Sequence, residues 1–149
     1  MEPADHCLLY EPEPYWASRL RGLLRFPGAG ERPFTQVRIA SEIAQLLTEH
    51  SRRLVLVALR ETMSARQCAA RIRQTSELTG RWPQCQVAFL LDEGLEPWQR
   101  PCWEMGTGLV FVGPASLLAI ARTMRRFLDQ YQPTETPADE PDSLAWLPW

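Results

Sequence analysis

Apolar residues fall into two alternating patterns along this chain. Short apolar runs predict strands, and stripes recurring every three to four residues predict helices. His6–Tyr10 (HCLLY) is the first short run, and Trp16, Leu20, Leu23 and Leu24 follow at helical spacing. Pro14 falls where a helix's first turn tolerates proline. The Pro/Gly content of 26–33 predicts a loop. Phe34–Ala40 alternates apolar and polar as a half-buried strand does. Ser41 is then the candidate N-cap of a short helix through Ile43, Ala44, Leu46 and Leu47, ending near His50. Leu54–Leu59 (LVLVAL) reads as a strand covered on both faces. Ser64 and Gln67 fit a capping box, and Cys68, Ala69, Ile72 and Leu78 continue that helix to a stop at Gly80. Gln86–Leu91 is another buried strand. Pro97 and Pro101 restrict any helix in 92–106 to a short or irregular one. Leu109–Val112 is the fifth strand. In the last helix, Leu117, Ile120, Ala121, Met124, Phe127, Leu128 and Tyr131 make one stripe, with Arg122, Arg125, Arg126 and Asp129 largely off it.

The order is strand then helix, five times over, without an internal sequence repeat. Alternation with short connections predicts an α/β fold: a parallel sheet with helices on both faces, a (βα)5 three-layer sandwich. Right-handed crossovers leave few topologies, and the flavodoxin-like strand order 2-1-3-4-5 is the usual one for five strands.

Composition narrows the chemistry more than the fold. The chain has 149 residues, one domain's worth, and a formal net charge of −2. All 16 of its basic Lys/Arg positions are arginine. Without lysine the chain has no Schiff base, no Walker-type phosphate lysine and no lysine general base of its own. The cysteines Cys7, Cys68, Cys85 and Cys102 are widely spaced, and the only histidines are His6 and His50, so zinc-ligand pairing is missing. Cys7 and Cys85 lie in apolar runs and read as buried thiols. The opening MEPADHCLLYEPEP has neither a basic n-region nor an uninterrupted apolar core, and no apolar run nears the roughly 20 residues that span a bilayer. A cytoplasmic location with reduced thiols is expected. The near-neutral balance argues against general nucleic-acid binding. After Tyr131 the tail holds Glu135, Asp139, Glu140 and Asp142 and no basic residue, so 1–131 reads as the domain and 132–149 as a flexible acidic, Pro-rich tail.

These elements resemble the receiver domain of bacterial two-component response regulators over roughly residues 6 to 131. Leu8-Leu-Tyr-Glu11-Pro-Glu13-Pro14 looks like the family's first strand and acidic turn. Leu54–Arg60 looks like its third strand, and Leu109-Val-Phe-Val-Gly113-Pro114 like its fifth strand and Lys-Pro turn. The resemblance implies a phosphoacceptor aspartate, paired acids for Mg²⁺, a hydroxyl residue and a lysine. Here the matching positions are Ala58, Glu11 with Pro12, Leu91, and Gly113 before Pro114. The family's phosphate switch therefore does not carry over, and the chain reads as a degenerate, or pseudo-, receiver without catalytic activity, resident metal or cofactor.

The expected role is a phosphorylation-independent interaction module that binds a protein partner or itself. In receivers the face of the fourth helix, fifth strand and fifth helix often contacts an output; here it would include Trp98, Trp103, Phe111, Arg122, Arg125 and Arg126. Trp82 is a further candidate contact, since tryptophan is enriched in interface hot spots. The terminal Leu144-Ala-Trp146-Leu-Pro-Trp149 reads as a docking motif, on this domain or on a partner. The alternative is a metal- or small-ligand-binding flavodoxin-like protein, possibly an enzyme. It would use Glu11, Glu13, Glu61, Asp92 and Glu93, which all follow predicted strands, with Arg60 nearby. The same acids also suit helix starts, where the macrodipole favours negative charge. Ser64 lacks the surroundings of a nucleophile and reads as a cap.

Overall fold

A computed structural model describes residues 6–23, 34–105 and 109–130. Among the described residues five strands and five helices alternate: β1 (Cys7–Tyr10), α1 (Trp16–Leu23), β2 (Thr35–Val37), α2 (Ala40–Glu49), β3 (Leu54–Leu59), α3 (Ala65–Arg81), β4 (Gln86–Leu91), α4 (Gln99–Glu104), β5 (Leu109–Val112) and α5 (Leu117–Asp129). Short 3-10 turns lead into α4 and α5 at Glu93–Trp98 and Pro114–Ser116. All strand pairs are parallel and the order is 2-1-3-4-5, the flavodoxin-like arrangement.

The strand period of two divides the core. Leu9, Leu56, Ala58, Ala88 and Leu90 point to one face and pack under Trp16 and Leu20 of α1 and Ile120, Met124, Phe127 and Leu128 of α5. Leu8, Val55, Val57, Leu59, Phe89 and Leu91 point to the other, under Ile43 and Leu47 of α2 and Cys102 of α4. Every side chain of β3 is buried, which is why its sequence shows no polar alternation.

Three local expectations are corrected. The second strand is Thr35–Val37 instead of Phe34–Ala40, because α2 already begins at Ala40. Its N-cap is therefore Ile39, without a side-chain cap, and Ser41 lies exposed inside the first turn. Gly80 does not stop α3, which runs to Arg81 and ends at Trp82, whose N–H donates to the Leu78 carbonyl at 2.8 Å. Gly80 sits exposed in open space, so nothing there forces the chain out of helix. The Ser64 capping box forms in full: the Gln67 N–H donates to Ser64 Oγ at 3.1 Å, and the Ser64 N–H to Gln67 Oε1 at 2.8 Å. In α1, Trp16, Ala17 and Leu20 are buried while Leu23 is exposed.

No helix among the described residues is long and apolar enough to cross a membrane. The tail from 131 onward, with Trp146 and Trp149, lies outside the described residues.

Cys7, Cys68, Cys85 and Cys102 are all buried free thiols, and burial pushes Cys7, Cys85 and Cys102 up to about 12. Since the thiolate is the nucleophile, a disulfide reagent at pH 8 should titrate none of the four in the native protein. All four should react in denaturant, as followed by the released chromophore. Leu56→Ala, at a fully buried position on the central strand, is expected to lower unfolding free energy by about 2–5 kcal/mol in a urea titration.

Candidate functional site

Parallel strands release their loops toward helices at the carboxyl edge of the sheet, where open α/β sheets bind ligands. Glu11 continues β1: its N–H donates to the Val37 carbonyl at 3.0 Å, and its carbonyl accepts from Gln36 Nε2 at 3.1 Å. Its carboxylate is fully buried at the start of α1. Oε1 accepts from the backbone N–H groups of Tyr15 (3.0 Å) and Ala17 (3.1 Å), and Oε2 from that of Trp16 (2.7 Å). The first amides of a helix lack internal acceptors and carry partial positive charge, so this carboxylate is both cap and counter-charge.

Asp92 continues β4 and is 8% exposed. Its two oxygens each accept from Arg60 Nε at 3.0 Å, and Oδ2 also accepts from the Glu61 N–H at 2.7 Å. The Arg60 guanidinium carbon lies 3.9 Å from the centroid of the Tyr15 ring. Arg60 is thereby fixed between the entry to α1 and the loop after β4, at the mouth of β3.

Two hollows flank it. The larger, about 310 Å³, is lined by Pro12, Glu13, Arg60, Thr62, Met63 and Arg71, among others. The smaller, about 150 Å³, is lined by Tyr15, Arg60, Glu61, Asp92, Glu93 and Pro114. The positions matched to the receiver switch do not line one common hollow. Pro12 lines one hollow and Pro114 the other. Ala58 and Leu91 are fully buried on opposite faces of the sheet. Gly113 has φ +74°, a backbone state that side-chain-bearing residues rarely adopt, and its N–H donates to the Leu91 carbonyl at 2.9 Å.

The acids proposed for a cation do not converge. Glu11 and Asp92 are committed to protein donors, and Glu13, Glu61 and Glu93 are exposed. Among the described residues no group of three His, Cys, Asp or Glu side chains could hold a metal ion. His6 and His50 meet edge to face, 5.8 Å between centroids, just ahead of β1 and β3 at the opposite edge of the sheet.

On the α4–β5–α5 side, Trp103 is 51% exposed, and Arg122, Arg125 and Arg126 are exposed on α5. Trp98 and Phe111 are half-buried against the two cores, and Trp82 is half-buried against the α2–α4 core. Leu118, exposed to 58%, adds an apolar side chain off the buried stripe of α5.

Arg71 was also missed. It stands three residues after Cys68 and one before Ile72, on the inward side of α3, where a charge needs a partner. That misfit was the available signal. Its Nη1 donates to the Ala58 carbonyl at 2.9 Å and contacts Met63 Sδ at 3.3 Å.

Glu11→Ala leaves three amides at the start of α1 without their acceptor and should lower stability by about 1–3 kcal/mol, measured by urea unfolding. Glu11→Gln, which keeps one acceptor oxygen, should lose less.

No family model matches this chain, and no curated protein matches it.

Proposed function

We propose that this chain is a degenerate receiver that works as a non-catalytic, phosphorylation-independent protein-interaction module. The observation that carries this reading is the Arg60–Asp92 pair at the mouth of the β3 strand, in a sheet of order 2-1-3-4-5. A receiver switch needs clustered carboxylates there to hold Mg²⁺ and accept a phosphoryl group. A guanidinium occupies the mouth instead, and the Glu11 carboxylate is bound to the amides of α1. The positive φ of Gly113 supports the same reading, because a lysine at that position would be strained by about 1–3 kcal/mol. With this edge closed to phosphotransfer, regulation falls to surface recognition. The exposed Trp103 and Leu118, together with the arginines of α5, supply an aromatic and cationic partner face beside the β5 edge. The partner is a protein or a second copy of the chain, in a signalling or transcriptional setting.

Incubation of the full chain with a small phosphodonor and Mg²⁺ tests the reading. Intact-mass analysis should show no added phosphoryl group, and an acyl-phosphate on this chain would refute it. Partner capture should be the same with and without the phosphodonor. Trp103→Ala should weaken capture by about 2 kcal/mol or more if that tryptophan anchors the interface.

A further inference from the structure

We propose that the larger hollow, between the ends of the β1 and β3 strands, binds the carboxylate of a small organic acid through Arg60 and Arg71. Its place is the topological switch point: the chain leaves β1 toward β2 on one side, and leaves β3 toward β4 on the other. The loops diverge there and open a crevice. Its volume of about 310 Å³ lies at the lower end of the range for small-molecule sites, about 300–1,000 Å³.

Both arginines are held in place, and both keep a two-donor edge. Arg60 uses Nε on Asp92 and stacks on Tyr15. Its two Nη groups make no hydrogen bond among the described residues. Arg71 uses Nη1 on the Ala58 carbonyl and lies 4.6 Å from the centroid of Tyr10. Its Nε–Nη2 edge makes no hydrogen bond among the described residues. A guanidinium edge of two parallel N–H groups matches a carboxylate in plane and spacing. Stacking on tyrosine and anchoring by Asp92 and Ala58 remove the ordering cost that an exposed arginine would bear on binding.

Local charge selects a monoanion. The guanidinium charges of Arg60 and Arg71 are matched by Asp92, bonded to Arg60, and by Glu13 on the rim, so the four groups are formally neutral together. A dianionic phosphate monoester would leave the site with two excess negative charges, whereas a single carboxylate leaves one. Pro12 and Met63 provide apolar wall for a compact organic body, and Thr62 a hydroxyl. The site lies apart from the α4–β5–α5 face, so acid binding and partner capture can succeed or fail independently.

The experiment is a titration of the full chain with pyruvate, acetate and benzoate. Benzamide serves as the neutral counterpart and inorganic phosphate as the competing oxyanion. Binding is read by calorimetry and by amide shifts in a two-dimensional NMR spectrum. At least one carboxylate should saturate, moving the amides of Arg60, Thr62, Met63 and Arg71, while benzamide does not. Arg71→Lys keeps the charge but removes the fork, and should weaken binding by about tenfold or more. Glu13→Gln, at an exposed position, should tighten binding about threefold without changing Tm. That variant keeps the test decisive if Arg71→Lys unfolds. The proposal is overturned if no carboxylate saturates, if the shifts map elsewhere, or if phosphate binds more tightly than every carboxylate.

Discussion

The six side chains of β3 are all buried, alternately under α1 and α5 and under α2, α3 and α4. A parallel strand covered on both faces can hold no polar side chain along its length without a partner. Chemistry in this molecule is therefore pushed to the strand ends. β3 pairs with both β1 and β4, so its carboxyl end lies between theirs, and Glu11, Arg60 and Asp92 follow from that register.

At that edge the charges serve the scaffold before they serve anything else. Glu11 closes the start of α1, and Asp92 ties Arg60 and the Glu61 amide to the loop after β4. Buried carboxylates persist in such places because several donors meet each one, replacing the water they lost. The same network leaves the guanidinium groups with donors to spare. Beside its acids the edge thus carries two stacked cations, Arg60 on Tyr15 and Arg71 on Tyr10. The α4–β5–α5 side has a different character. β5 is an edge strand whose four residues are only half-buried.

Legibility in the sequence followed the strength of the local signal. Leu54–Leu59, Gln86–Leu91 and Leu109–Val112 are strands at the predicted bounds, because continuous apolar runs leave no other use for them. The Ser64–Gln67 capping box forms because both of its hydrogen bonds are local. Ser41 failed as a cap because a serine before an apolar stripe can sit one turn position later when the preceding strand is short. Gly80 failed as a stop because an exposed helical glycine costs only about 1 kcal/mol, too little to end a helix whose next carbonyls find donors.

The candidate site was legible in part. That acids and Arg60 gather at the strand ends followed from their positions just after apolar runs, together with the parallel topology. Which of them would be consumed by helix amides, and which would face a cleft, depended on partners far away in the chain. Asp92 meets Arg60 across a separation of 32 residues, and Arg71 reaches the Ala58 carbonyl from two turns up α3. The sequence alone determined the alternation of elements, the doubly covered sheet and the exclusion of lysine chemistry, because each rests on local pattern or bare composition. Only the tertiary structure decided how the charges at that mouth are used, since long-range hydrogen bonds, and not residue type, set which were neutralised and which kept open donors.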